Sequence, residues 1–204
     1  MNPENKKLIM FDFDGVLVDT LLVGFAVTKE ANANISIDEY KTLFEDNINK
    51  AIELNKVKKH PNFFERYDIH AREIKVPEII KEIIKILYEK YILIIISSTG
   101  TSSIKNILER DNVLEYFDDI LGNDIHTSKV EKIKTIFEKY NIKSDHTIFI
   151  TDTLGDIKEA TKCEVKSIGV TWGWHDPKTL KKGNPATIID NPMDLLKAIE
   201  DMLK

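Results

Sequence analysis

The chain has one cysteine, Cys163, in 204 residues. An intramolecular disulfide is therefore excluded, and so is any metal motif built on cysteine pairs. The surrounding "ATKCEVKS" reads as the end of an amphipathic helix, so packing is the expected role of this thiol. Long apolar runs are missing as well. The longest, "YILIII" at 91–96, is far too short to span a bilayer. No signal-peptide pattern opens the sequence, which with the lone cysteine makes a reducing cytoplasm the expected setting. There is no extended block of lysine or arginine; "KVKK" at 56–59 is the densest basic cluster and reads as a solvated helix end. With a formal net charge of -5, neither a nucleic acid polymer nor a membrane is an expected partner. His60, His70, His126 and His146 lack metal-ligand spacing and are given no role. Internal repeats and low-complexity linkers are also absent. What remains is a chain long enough to bury a real core, as one domain with or without a smaller insertion.

What the chain does have is a recurrence. Five apolar runs, "KLIMFDF" (7–13), "YILIIISS" (91–98), "HTIFITD" (146–152), "VKSIGVT" (165–171) and "ATIID" (186–190), each give way to a turn and a helical pattern. Nearly continuous β-branched runs fit strands covered on both faces, as in a parallel sheet. The helical patterns lie at 77–90, 101–112, 128–141, 155–163 and 191–204. Alternating strand and helix predicts an α/β fold with a doubly wound, Rossmann-like parallel sheet.

The alternation is broken once. From about Thr20 to Lys75 the chain reads as helix and loop with no convincing strand, and Ser36 before Asp38 and Glu39 reads as a helix N-cap. The predicted organisation is a core of residues 1–19 and 76–204, with a helical subdomain of residues 20–75 inserted after the first strand.

Ligands of open parallel sheets bind outside the carboxyl ends of the strands. Polar residues at run ends therefore carry weight. Asp12 and Asp14 end the first run, and the period of two puts both on one side if the chain stays extended. Ser97, Ser98, Thr99 and Gly100 end the second run. Asp152 ends the third, with Asp156 four residues on, and Lys129 opens the helix after "LGNDIHTS". Each cluster alone suits a turn or a helix cap. Together they would gather carboxylates at one sheet edge, where they repel unless a cation neutralises them. An oxygen-rich site without cysteine favours Mg²⁺.

"FDFDGVLVD", "IIISS", Lys129 and "FITDTLGD" resemble the four ordered motifs of the haloacid dehalogenase superfamily. The closing stretch from Ser167 to Leu196 resembles its phosphoglycolate-phosphatase-like branch, in which a helical cap sits between the first and second motifs. The resemblance implies a Mg²⁺-dependent phosphatase acting on a small phosphorylated metabolite through an aspartyl-phosphate. Asp12 would be the nucleophile, and Asp14 the acid that protonates the leaving alcohol and then the base that activates water. Ser97, helped by the N–H of Ser98, would bind phosphoryl oxygens, and Lys129 would neutralise their charge. Mg²⁺ would be held by Asp12, Asp152 and Asp14 through its carbonyl, with Asp156 acting directly or through water.

Two positions keep alternatives open. Thr151 stands where relatives often carry glycine or an acid, and "SSTG" leaves the phosphate hydroxyl on Ser97 or Ser98. In "GVTWGWHD" (169–176), Trp172, Trp174 and His175 follow a strand end; they either wall the substrate entrance or serve structure, with His175 capping the following short helix. Two other readings stand beside the phosphatase: a phosphomutase of the same fold acting on a sugar phosphate, and a non-catalytic binding module.

Overall fold

Every residue of β1 (Leu8–Phe11) is buried, because helices cover both faces of the strand. Ile9 and Phe11 enter one apolar cluster with Leu93, Ile95, Ile148 and Ile150. Leu8 and Met10 enter a second with Ile94, Ile96 and Phe149. The pleat, with its period of two, divides one continuous apolar run between two cores.

The computed structural model describes residues 7–204. Strands β1, β2 (Ile92–Ile96), β3 (Asp119–Leu121), β4 (Thr147–Thr151), β5 (Lys166–Val170) and β6 (Thr187–Ile189) form one sheet. Its order is β3-β2-β1-β4-β5-β6, with every pairing parallel. This is the doubly wound arrangement the alternation predicts. The winding reverses between β1 and β4, the topological switch point at which such sheets bind ligands.

Between β1 and the next core element the chain forms α1 (Leu21–Ala31), α2 (Ile37–Thr42), α3 (Ile48–Glu53) and α4 (Phe63–His70), with no strand among them. This is the inserted helical cap. Ser36 closes a capping box at the start of α2: its hydroxyl accepts the Glu39 N–H, and the Glu39 carboxylate accepts the Ser36 N–H at 2.8 Å. The core resumes with α5 (Glu78–Tyr88) and α6 (Thr101–Arg110), followed by α7 (Lys129–Tyr140), α8 (Leu154–Lys162), α9 (Pro177–Lys181) and α10 (Leu195–Met202). Ile83, Ile107 and Ile199 bring α5, α6 and α10 into the first cluster; Ile133 and Ala160 bring α7 and α8 into the second. All five apolar runs form strands, each shorter than its run. The sixth, β3, has only three residues at the sheet edge, and "DIL" is too short for an alternation to stand out.

Helix α7 buries two lysines one turn apart, Lys129 and Lys132. Lys132 Nζ donates to the carbonyl of Ser97 at 2.5 Å, tying α7 to the end of β2. Burial, helped by the neighbouring charge of Lys129, pushes the Lys132 ammonium down to about 7. The unfolded chain holds this proton up to about pH 10.4. Between those limits the unfolded state binds more protons, so stability rises with pH. Denaturant titrations from pH 6.5 to 9.5 should show the wild type gaining on Lys132→Met with a slope approaching about 1.4 kcal/mol per pH unit. A pH-independent difference would mean that Lys132 keeps its proton in the fold.

Candidate active site

Asp12 follows β1 directly, and its N–H still donates to the carbonyl of Ile150 at 2.9 Å, which carries the strand register into the site. Asp12 Oδ1 accepts the Phe13 N–H and lies 2.8 Å from Lys129 Nζ. Lys129, the first residue of α7, also reaches Asp156 Oδ2 at 2.6 Å. Thr151, at the position that departs from the family pattern, donates its hydroxyl to the same Asp156 oxygen at 2.7 Å. Asp152 follows β4 and is fully buried; its Oδ2 accepts the Trp174 N–H at 2.7 Å, while its buried Oδ1 has no partner. Gly15 closes the turn beyond Asp14 with φ +76°, and a Cβ there would lie 2.0 Å from Asp152 Oδ2. Only glycine fits that position.

Three buried carboxylates thus share one buried ammonium. Burial pushes Asp12 well above the usual carboxylate range, opposed by Lys129 and reinforced by Asp156 and Asp152. Burial likewise carries Asp152 up to about 8, against the Trp174 N–H that favours its charge. For Asp156, burial is outweighed by Lys129 and by hydrogen bonds, and its carboxyl is held below the usual value. For Lys129, burial is outweighed by Asp12 and Asp156, so the ammonium stays charged. The crowding of buried carboxyls, which a cation would let ionise together, and the orphaned Asp152 Oδ1 suit a divalent cation. Among the described residues no three His, Cys, Asp or Glu side chains form a ready cage for a metal. Mg²⁺ does not need one, since it takes one or two carboxylates with carbonyls and waters. Asp12 and Asp152 could supply those carboxylates and Asp14 a carbonyl, while the Asp156 oxygen that meets Lys129 is already committed.

The Asp14 carboxylate lies within a ring of hydroxyls. Oδ1 accepts from Thr20 at 2.6 Å and from Tyr67 at 2.7 Å; Oδ2 accepts from Thr99 at 2.8 Å and from Ser97 at 3.2 Å. Ser97, expected to present its hydroxyl to a phosphoryl group, presents it to Asp14 instead and accepts the Thr99 N–H. Ser98 is half-buried and lines the cleft. That cleft opens from Asp12, Asp14 and Lys129 into the cap.

"GVTWGWHD" joins core to cap. The Trp174 ring packs edge-on against Phe44 at 4.6 Å, and Trp172 Nε1 donates to the carbonyl of Val16. His175 does not cap α9; Asp176 does, accepting the Thr179 N–H at 2.7 Å. His175 Nδ1 instead accepts the Leu154 N–H at the start of α8, which leaves Nε2–H to donate to the Lys41 carbonyl in the cap at 2.9 Å. Burial lowers the pKa of this imidazole, in keeping with a neutral ring that bridges the two parts.

A family model of haloacid dehalogenase-like hydrolases matches residues 9–170. The chain belongs to that family. A phosphoglycolate phosphatase of Vibrio vulnificus is 22% identical over 229 residues, covering 98% of each chain. A pyrophosphatase, PpaX, of Oceanobacillus iheyensis is 25% identical over 209 residues, covering 96% of this chain and 97% of that one. The crystal structure of a predicted phosphatase from Clostridium acetobutylicum superposes with a TM-score of 0.78 at 24% identity, covering 96% of this chain and 99% of the other.

In this hydrolase one further carboxylate, Glu159 on α8, is buried beside the site. It accepts the Lys129 N–H and the Ser128 hydroxyl, both at 3.1 Å, and the side-chain amide of Asn47 at 3.0 Å. Asn47 belongs to the cap, where it also caps α3, so one side chain holds both the start of the Lys129 helix and the cap. Beside it the cap backbone lies so close to α8 that a Cβ at Gly155 would meet the Asp46 carbonyl at 2.6 Å. Glu159, Thr20 and Tyr67 had no signal in the motif spacing, because their contacts cross the fold, whereas Thr99 stood among the polar residues that end the second run. Replacing Glu159 with alanine leaves buried donors without an acceptor and should cost about 1–3 kcal/mol of stability in denaturant titrations. An unchanged midpoint would show that water replaces the carboxylate at no cost.

Proposed function

We propose that this protein is a Mg²⁺-dependent phosphatase that hydrolyses a small phosphate monoester through a phosphorylated Asp12. The observation that supports this most is the convergence at the switch point of Asp12 and Lys129, which line a cleft, with the partly unpaired Asp152 buried in the same carboxyl cluster.

Asp12 would attack phosphorus in line, forming the Asp12 O–P bond as the bond to the leaving oxygen breaks. Lys129, fixed against Asp12 and Asp156, would keep a positive charge beside the transferring group without reorganising. Ser98, at the cleft wall, is better placed than Ser97 to donate a hydroxyl to the phosphoryl oxygens. A Mg²⁺ ion held by Asp12, Asp152 and the Asp14 carbonyl would neutralise the carboxylates and the phosphoryl oxygens. Asp14 would protonate the leaving oxygen and then accept a proton from the water that hydrolyses the intermediate. To do so it must give up hydroxyl partners. Tyr67 belongs to cap helix α4, and Thr20 is the residue from which α1 begins. The position of the cap therefore bears directly on the freedom of Asp14, consistent with a cap that closes over the site and excludes water.

Phosphate release from p-nitrophenyl phosphate tests this reading. Asp12→Asn should lose activity by at least about a thousandfold, and a chelator should abolish wild-type activity until Mg²⁺ is restored. Activity that survives both would overturn the mechanism. Tyr67→Phe removes one of the donors to Asp14 and should change kcat by about tenfold or less, since Asp14 itself remains. A loss as complete as that of Asp12→Asn would place Tyr67 in the chemistry itself.

A further inference from the structure

The cleft wall above the carboxylates carries little charge. Two aromatic groups line it. Tyr40, Phe44 and Trp174 form one, with ring centroids 4.6 to 5.8 Å apart. Phe63, Phe64 and Tyr67 form the other, from α4. Ile48, Ile52 and Val57 add aliphatic surface between them along the cap. The polar side chains of the wall are largely committed: Asn123 donates to Asn49, Asn49 donates to the Thr127 carbonyl, and the hydroxyls of Thr99 and Tyr67 serve Asp14. No arginine lines the cleft, and apart from Lys129 its cations are Lys58 and Lys59, both exposed. Lys59 Nζ already lies 4.8 Å from the centre of the Phe64 ring.

Resting on the phosphatase reading, we propose that the substrate is a phosphate monoester whose leaving group carries an aromatic ring, bound between these two aromatic groups. A second anion close to the phosphoryl group, whether the carboxylate of a two-carbon acid or another phosphate, would lie against rings and aliphatic chains without a buried cation to pair with. A planar ring finds offset and edge-on partners there. The exposed lysines leave room at the outer end for a polar substituent on the ring. This chain's cleft thus differs in chemistry from what phosphoglycolate or pyrophosphate, the substrates in its relatives' names, require.

The test compares 2-phenylethyl phosphate with ethyl phosphate, phosphoglycolate and pyrophosphate, using wild-type protein with Mg²⁺ and phosphate detection. The first two esters leave as primary alcohols of similar basicity, so their ratio reads the cleft rather than the chemistry. The expected result is a kcat/KM for 2-phenylethyl phosphate at least about tenfold above ethyl phosphate, and above the two substrates that carry a second anionic group as well. Phe64→Ala should shrink that ratio by removing one wall of the ring site. Equal turnover of the two esters, or a preference for phosphoglycolate or pyrophosphate, would overturn the substrate class and leave the phosphatase reading standing. No phosphate release from any of the four would overturn both.

Discussion

The Lys129 ammonium lies 2.8 Å from Asp12 and 2.6 Å from Asp156, almost wholly out of contact with water, and the active end of the sheet is arranged around it. A buried charge is tolerable only when it is paired and fully hydrogen-bonded, and removing one partner leaves the other exposed to the full desolvation cost. That constraint reaches outward. Asp12 is held by the register of β1 against β4, Asp156 by the Thr151 hydroxyl, and the backbone of Lys129 by Glu159. Each is a different element of the fold, so the charge cluster locates β1, β4, α7 and α8 relative to one another. Asp152 completes the cluster without touching the lysine: its Oδ2 lies beneath the Gly15 turn and accepts the Trp174 N–H, while its Oδ1 is buried without a partner.

A second set of contacts binds the cap to this cluster. Glu159 meets Asn47, His175 meets the Lys41 carbonyl, and Lys158 Nζ donates to the Glu45 carbonyl at 2.7 Å. All three cap partners fall between residues 41 and 47, on one side of the insertion. The other side touches the core through Tyr67 and the Asp14 carboxylate. The insertion is thus anchored by backbone and amide groups at one end and meets the Asp14 carboxyl at the other. Motion of α4 would change the partners of Asp14 while leaving Lys129 and Asp12 undisturbed. The groups proposed for proton transfer and for phosphoryl transfer are thus held by different contacts.

Much of the core was legible because its signals are local. A buried parallel strand is a continuous apolar run, and the acids that end such runs stand out against it; Asp12, Asp14 and Asp152 are visible for that reason. The contacts that decide the fine assignments are not local. Ser97 and Ser98 are adjacent and identical, and which hydroxyl meets Asp14 depends on the twist of the chain as it leaves β2. His175 and Asp176 both precede α9, but only packing against α2 and α8 shows that the acid caps and the imidazole bridges. Strand β3 is fixed by pairing with β2, and its three residues carry too little pattern to announce it. Glu159 reads as one charged residue of an amphipathic helix until the cap and α7 close on it.

The division of labour between core and cap follows from the same difference. In the proposed reaction core residues would act on a phosphoryl group, whose geometry and charge are common to every monoester, so a small fixed set of carboxylates and one lysine would suffice. Cap residues would meet the part of the substrate that varies, and their contribution would be the shape and polarity of a wall rather than a particular side chain at a particular spacing. Relatives that share the core can bear names as different as phosphoglycolate phosphatase and pyrophosphatase for this reason. In this chain the wall is built from Phe44 on one side and Phe63 and Phe64 on the other, and the cap segments that carry them are tied to the core by Lys158 at the Glu45 carbonyl and by Tyr67 at Asp14. On the proposed reading, specificity would follow from where the contacts of the core hold the cap.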